Sequence, residues 1–96
     1  SAQAMFDEQA GWQKLFQYIK DIRNAIDLIE EGEDNRVPKQ MIHDYLYSIR
    51  TDNTITDQHK TSKDAKNEVK FLLESLKERK LEHDTITKRL KDVFNI

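Results

Sequence analysis

The chain of 96 residues is long enough for one hydrophobic core, since a second core would need roughly another hundred residues. Apolar residues make up 36% and charged residues 35% of the sequence, with two glycines and one proline, which favours helices over sheets and Gly-rich nucleotide-binding folds. Sixteen basic and eighteen acidic side chains give a net charge of −2, which excludes a global field that would draw the chain onto nucleic acid or an anionic membrane.

The sequence contains no cysteine, which excludes disulfides, thiolate metal sites and cysteine nucleophiles and fits a reducing compartment. We therefore expect a cytoplasmic protein. No apolar run approaches the roughly 18 residues of a membrane span, and no membrane partner is expected. Met5 is a candidate native start, with Ser1–Ala4 as a processed or added end.

The first segment predicts a long helix over about residues 7–31. Its apolar residues recur every three or four positions, which is the a/d spacing of a coiled-coil seam: Trp12, Leu15, Ile19, Ile22, Ile26 and Ile29. Gly32 would supply the left-handed position that follows many helices. Gly11 costs about 1 kcal/mol of helix propensity relative to alanine, which predicts fraying of the first turn or a start only at Trp12.

A second helix is predicted over residues 38–50. Pro38 suits the first turn of a helix, where its missing N–H would have no partner in any case. One apolar face follows, made of Met41, Ile42, Tyr45, Leu46 and Ile49. The stretch from there to Lys60 is polar except for Ile55 and is predicted to be a loop that orders against the bundle or a partner.

A third helix is predicted over residues 62–95. Thr61-Ser62-Lys63-Asp64 fits the capping box of a helix start. The apolar seam then continues through Ala65, Val69, Leu72, Leu76, Ile86, Leu90 and Val93. Arg79 and His83 occupy the two seam positions between these blocks, and Asp84 is a candidate N-cap. One continuous helix is favoured, and the alternative is a break near Asp84 that creates a fourth helix.

These elements predict an elongated antiparallel all-α bundle of three long helices in a single domain, residues 1–96. The third helix would be about 50 Å long and the second about 20 Å, so the second helix could not cover the seam between its neighbours. A second copy of the chain is expected to cover the rest. The self-association seam would consist of Trp12, Leu15, Ile19, Ile22, Ile26, Ile29, Leu72, Leu76, Ile86, Leu90 and Val93.

Three further apolar residues, Leu28, Phe71 and Leu81, lie outside the seam positions. They would form a surface for a partner protein, or they would widen the ordinary core face that a bundle helix presents to two neighbours. Arg79 and His83 would form a polar layer inside the seam that fixes its register, with a solvated kink as the alternative.

No catalytic or metal-binding motif is visible. His43, His59 and His83 have no second histidine three or four residues away, and the sequence holds no Gly-rich phosphate loop and no G-x-S-x-G or H-E-x-x-H motif. We therefore expect no enzymatic activity, no metal site and no cofactor.

Residues 22–29, Ile-Arg-Asn-Ala-Ile-Asp-Leu-Ile, are similar to the opening-helix pattern of the all-α chorismate mutases. That family continues its first helix to a second arginine, whereas Gly32 and Pro38 end the helix here. Arg23 therefore has no cationic partner by motif. The similarity does not change the prediction of a protein without catalytic activity.

The charges of the third helix divide into an acidic flank and a basic flank. The basic flank comprises Lys63, Lys66, Lys70, Lys77, Lys80 and Lys91, which would follow a phosphate backbone. It has no interleaved aromatic residues and few arginines, so an ordinary charged surface is the simpler interpretation.

The predicted function is a non-catalytic module for protein interaction or oligomerisation, of the adaptor, regulator or small-chaperone type. Its partners would be a second copy of the chain and another protein. A nucleic-acid-binding regulator that uses the basic flank is the alternative.

Overall fold

The computed structural model describes all residues 1–96 and consists of five helices without a strand. The helices are α1 (Ala2–Asp27), α2 (Arg36–Thr51), α3 (Asp57–Lys60), α4 (Lys63–Glu78) and α5 (Thr85–Phe94). Helices hold 75% of the residues, so the predicted all-α class is confirmed. The molecule measures 52 × 22 × 16 Å.

The four longer helices form two antiparallel hairpins. In the first hairpin, the Tyr18 ring of α1 lies 6.4 Å from the Tyr45 ring of α2, and Lys14 pairs with Asp52 just beyond the far end of α2. In the second hairpin, Lys66 near the start of α4 donates to the backbone carbonyl of Asn95 beyond the end of α5. Each hairpin therefore turns the chain back along itself.

The hairpins meet at two junctions, where the paired helices run parallel. At the junction of α1 with α4, Arg79 beyond the end of α4 approaches Asp27 at the end of α1, with an N–O distance of 3.5 Å. At the junction of α2 with α5, Lys39 in the first turn of α2 pairs with Asp84, the N-cap of α5, at 2.9 Å. The bundle therefore combines antiparallel and parallel contacts, and the prediction of three long antiparallel helices is replaced by this arrangement.

The limits of α1 differ from the prediction at both ends. Ser1 caps the helix by accepting a hydrogen bond from the Ala4 amide, and the helix runs unbroken through Gly11. It ends at Asp27, four residues earlier than expected, because the loop to α2 is held by the Asn35 side chain, which bonds both the amide and the carbonyl of Glu30. Gly32 does adopt a left-handed φ of 85°, but within this loop.

The predicted third helix is broken, and the break begins earlier than the alternative near Asp84. α4 ends at Glu78 in a Schellman motif, in which the Leu81 amide donates to the Leu76 carbonyl and the Lys80 amide donates to the Lys77 carbonyl. Lys80 has a φ of 61°, a left-handed conformation that normally falls to glycine. α4 consequently has 16 residues, the same length as α2, so the predicted mismatch between the second and third helices, which favoured self-association, disappears.

The polar stretch before α4 is ordered against the bundle. Ile55 and His59 are buried, and Thr56 forms a reciprocal capping box with His59, whose Nδ1 accepts from the Thr56 amide at 3.0 Å. The predicted box at residues 61–64 is off by one residue, because Ser62 is the N-cap of α4 and accepts from the Ala65 amide. A short helix, α3, therefore stands where a loop was expected.

One cluster of seventeen buried apolar side chains forms the core. Nine of the eleven residues assigned to the self-association seam belong to it: Leu15, Ile19, Ile22, Ile26, Ile29, Leu72, Leu76, Ile86 and Leu90. Trp12 and Val93 are half-buried at its edge. The seam is thus covered by the other helices of the same chain. The prediction had assigned this cover to a second copy.

Candidate functional site

A groove runs along the junction of α1 with α4. Its volume is about 320 Å³, and we call it the Phe71 groove after its most exposed apolar residue; it is lined by Phe16, Ile19, Lys20, Arg23, Glu68, Phe71 and Leu72. Phe71 is 72% exposed, whereas Ile19 and Leu72 are part of the core. The groove therefore offers an apolar floor, an exposed aromatic ring at its rim and charged side chains around it.

An apolar stripe continues from this groove along α1. The Trp12 and Phe16 rings stack with their centroids 5.9 Å apart, and Met5 lies on the same helix face seven residues before Trp12. Met5 is 72% exposed, and all residues of Ala2–Gln9 are exposed to solvent. The first two turns of α1 thus project from the bundle with an uncovered methionine. The helical spacing does not predict a surface role for Met5, because Met5 precedes the helix predicted over residues 7–31.

The predicted partner surface is divided by the fold. Leu28 is exposed directly after α1, and Leu81 is half-buried against the core in the turn between α4 and α5. Phe71 faces the other flank of the bundle, in the Phe71 groove. Of the three residues, only Phe71 belongs to a continuous apolar surface.

The predicted basic flank is also divided. Lys70, Lys77 and Lys91 line one shallow groove between α4 and α5, together with Glu74 and Glu82. None of the three lysines has a carboxylate within 4.0 Å, so their charges face solvent. We call this surface the lysine groove.

The other lysines of the flank lie outside the lysine groove. Lys63 is exposed at the start of α4, and Lys66 is held by the Asn95 carbonyl. Lys80 pairs with Glu31 at 3.0 Å, and the hydrogen bond that Lys80 donates to this glutamate, supported by the negative charge of Glu31, raises the pKa of Lys80.

The predicted polar seam layer of Arg79 and His83 does not form. Arg79 turns back to donate to the Ser75 carbonyl at 3.1 Å and reaches Asp27, while His83 is exposed in the turn before α5. The reason is the end of α4 at Glu78, which takes both residues out of the helical register that would have placed them in the seam. The alternative of a solvated break describes this segment.

No three His, Cys, Asp or Glu side chains lie close enough together to hold a metal ion. None of the five helices combines the length and the apolar character needed to cross a membrane. No protein-family model, curated protein or solved structure matches the chain.

Proposed function

We propose that this chain is a non-catalytic helical interaction module, of the adaptor, regulator or small-chaperone type, which binds a second copy of itself and, through the same surface, another protein. The observation that carries the proposal is the exposure of Phe71 beside the apolar floor of the Phe71 groove. Burying an exposed phenylalanine is worth about 2 kcal/mol, and contiguous exposed apolar side chains are typical of protein contact surfaces. A cytoplasmic location, expected from the sequence, is part of this proposal.

A second copy suits this surface because the apolar stripe of α1 is self-complementary under a twofold axis. Met5 and Phe16 lie about 16 Å apart along the helix, with Trp12 between them. In an antiparallel pair of α1 helices, Met5 of each copy would lie against Phe16 of the other, so one patch would serve as both halves of the contact.

The projecting start of α1 supports the same arrangement. Ala2–Gln9 forms about two turns that have no cover from the rest of the chain, and helical segments of that length have little stability of their own. In the proposed pair these turns would lie over the Phe71 groove of the second copy. Association would therefore stabilise the least supported part of the longest helix.

Solution mass tests the proposal. We expect the chain at about 100 μM to exceed its monomer mass of 11.4 kDa, because a dimer with a dissociation constant of a few micromolar is mostly assembled at that concentration. Phe71→Asp and Met5→Asp should each return it to the monomer, and the helix signal should fall by no more than the two turns of Ala2–Gln9, since both side chains are exposed in the single chain. The measurement is light scattering after size-exclusion chromatography, with circular dichroism of each variant.

Val37→Asp is the matched control, because Val37 is 71% exposed but lies at the start of α2, away from the stripe. It should keep the wild-type mass. A monomeric wild-type chain at this concentration contradicts self-association, and a loss of mass in all three variants contradicts the assignment to the α1 stripe.

Nucleic-acid binding through the lysine groove is a second candidate. The observation that favours it is the convergence of Lys70, Lys77 and Lys91, three unpaired positive charges from two helices, on one groove. Each phosphate neutralised by a lysine releases counterions, which gives affinity without base recognition. Glu74 and Glu82 in the same groove oppose such binding, and for that reason it ranks second.

Salt dependence tests the second candidate. Three phosphate contacts predict a slope of about −2.7 for the logarithm of the binding constant against the logarithm of salt concentration with duplex DNA. Lys70→Glu with Lys77→Glu should reduce the slope by about 2 and abolish most binding at low salt. Lys20→Glu with Lys80→Glu makes the same change in net charge outside the lysine groove. This control should reduce the affinity for DNA less. Equal losses in both double variants, or no binding at low salt by fluorescence anisotropy, would dispose of this candidate.

A further inference from the structure

The junction of α2 with α5 contains a cavity that neither the apolar stripe nor the lysine groove includes. Its volume is about 290 Å³, at the small end of the range for ligand pockets. α2 contributes His43, Tyr47 and Arg50 to its wall, and α5 contributes Arg89 and Asp92. The groups that form this wall are rich in hydrogen-bond donors.

The two guanidinium groups of the cavity are unused by the fold. Arg50 and Arg89 belong to none of the six ion pairs of the molecule, although Asp92 lines the same cavity. A guanidinium presents a planar fork of donors that fits two oxygens of a carboxylate or phosphate at once. Two such forks, one from α2 and one from α5, line this cavity and have no carboxylate partner.

His43 adds a third unsatisfied group. Its side chain lines the cavity, and its Nδ1 is buried without a hydrogen-bond partner, which is rare for a buried ring nitrogen. The neighbouring Asp84 does not supply that partner, because its carboxylate pairs with Lys39 and caps α5. The Lys39–Asp84 pair is therefore satisfied within the fold, whereas the His43 Nδ1 has no partner in it.

The charge and the lining of the cavity define the class of ligand. Arg50, Arg89 and Asp92 sum to a net charge of +1, which a monoanion balances and a phosphate dianion exceeds. Leu46 and Val93 form an apolar part of the wall, and the exposed Tyr47 ring stands at its edge. An apolar body attached to the anion would contact these side chains and displace water from them.

We propose that this cavity binds a small organic carboxylate that carries an apolar or aromatic group, with Arg50 and Arg89 holding the carboxylate and Leu46 and Val93 contacting the apolar body. The site lies at a different junction from the Phe71 groove. Its occupation therefore does not depend on the function proposed above.

Benzoate is the probe, and the measurement is a titration of the full chain followed by amide chemical shifts in NMR spectra. We expect saturable shifts that cluster on α2 and α5 around Leu46 and Val93, with a dissociation constant in the millimolar range, as befits a ligand of about nine non-hydrogen atoms. Inorganic phosphate and the neutral benzamide are the two comparison ligands and should bind at least about fivefold more weakly.

Three variants identify the groups that carry the binding. Arg50→Gln and Arg89→Gln should each weaken benzoate about fivefold, and Asp92→Asn should strengthen it about two- to fivefold, because it removes the charge that opposes the ligand. All three residues are exposed, so the fold should be kept in each variant. Arg36→Gln, an exposed arginine that pairs with Asp34 before α2, is the control and should leave the affinity unchanged.

Each outcome of the benzoate titration tests one part of the proposal. Absence of saturable shifts up to about 50 mM benzoate overturns the site, since weaker binding would have no specificity. Equal affinity for benzamide overturns the role of the arginines, and tighter binding of phosphate overturns the carboxylate class. A fivefold loss with either arginine variant together with a gain for Asp92→Asn supports the proposal.

Discussion

Asp84→Ala is expected to lower the free energy of unfolding by about 2 kcal/mol at neutral pH. The carboxylate has two roles: one oxygen accepts from the Ile86 amide at 3.0 Å and caps α5, and the other pairs with Lys39 at 2.9 Å. The pair is partly shielded, with 22% of the Asp84 side chain and 30% of the Lys39 side chain exposed, so solvent weakens it less than an open surface pair. Urea denaturation of wild type and variant measures the loss.

Asp84→Asn is the matched control, because asparagine caps a helix as well as aspartate does but forms no ion pair. It should cost less than about 1 kcal/mol. If asparagine costs as much as alanine, the cap contributes nothing and the charge carries the whole effect.

The difference in stability between wild type and Asp84→Asn is expected to depend on pH. Partial burial raises the pKa of Asp84, but the hydrogen bond from Lys39, the bond from the Ile86 amide and the charges of Lys39 and His43 together hold it below the ordinary value of 3.8. A folded-state pKa below the unfolded one means that Asp84 adds stability above the unfolded pKa and loses it as pH falls through the folded pKa. The advantage of wild type over Asp84→Asn should therefore be full at pH 7 and should shrink below about pH 3.8. A difference that stays constant down to about pH 2 would contradict the role of the ion pair.

This ion pair also has a structural consequence for the proposed carboxylate site. Lys39 and Asp84 join the first turns of α2 and α5, and these two helices form the walls of the cavity with Arg50 and Arg89. The charges of Lys39 and Asp84 cancel, so the net charge of the cavity is set by the residues further along the two helices. Loss of the pair should loosen this junction before it affects the first hairpin.

The periodicity of the sequence was enough to identify most of the core. Ile22, Ile26 and Leu76 recur at helical spacing, and a face with that spacing has to be buried against something. The spacing does not say what covers the face. A continuous third helix predicts a second copy as the cover. In the structure α2 and α4 cover α1, and α5 folds back onto α2 and α4 after the break.

The break itself could not be placed from the sequence. Arg79 and His83 interrupt the apolar seam and so indicate a change there. However, the chain turns away from α4 at Lys80, which lies two residues beyond the end of the helix and adopts a left-handed conformation. Lysine carries no signal for that conformation, which costs about 1–2 kcal/mol relative to a right-handed one. The cost is offset by tertiary contacts, including those of Leu81 with the core, that no local pattern contains.

The surface sites were predictable only in part. Phe71 lies outside the seam positions, which predicts that it faces outward, and the structure does leave it exposed. Phe71 and Phe16 line one groove, and Arg50 and Arg89 line one cavity, because of how the hairpins pack. Helical spacing orders residues on one helix and carries no information about the junction between two helices.

Gly11→Ala is expected to destabilise the protein by about 2–3 kcal/mol, although helix propensity alone predicts a gain of about 1 kcal/mol from the same change. Gly11 is buried in α1 at the point where the segment from Asn53 to Lys60 crosses the helix. A Cβ at this position would collide with the backbone carbonyl of Thr54 and would lie 2.5 Å from Cε1 of His59. Neither group moves away easily, since one is backbone and the other is a buried ring held in a capping box with Thr56.

The readouts for Gly11→Ala are thermal unfolding and the fluorescence of Trp12, the single tryptophan of the chain. The Trp12 ring lies 4.6 Å from the His59 ring, so displacement of α3 should shift its emission to longer wavelength while the melting temperature falls by about 10 °C or more. Gln13→Ala, on an exposed position of α1 two residues away, is the control and should change neither quantity. A higher melting temperature for Gly11→Ala would mean that α1 and α3 are not in close contact, because only then does the propensity of alanine decide the outcome.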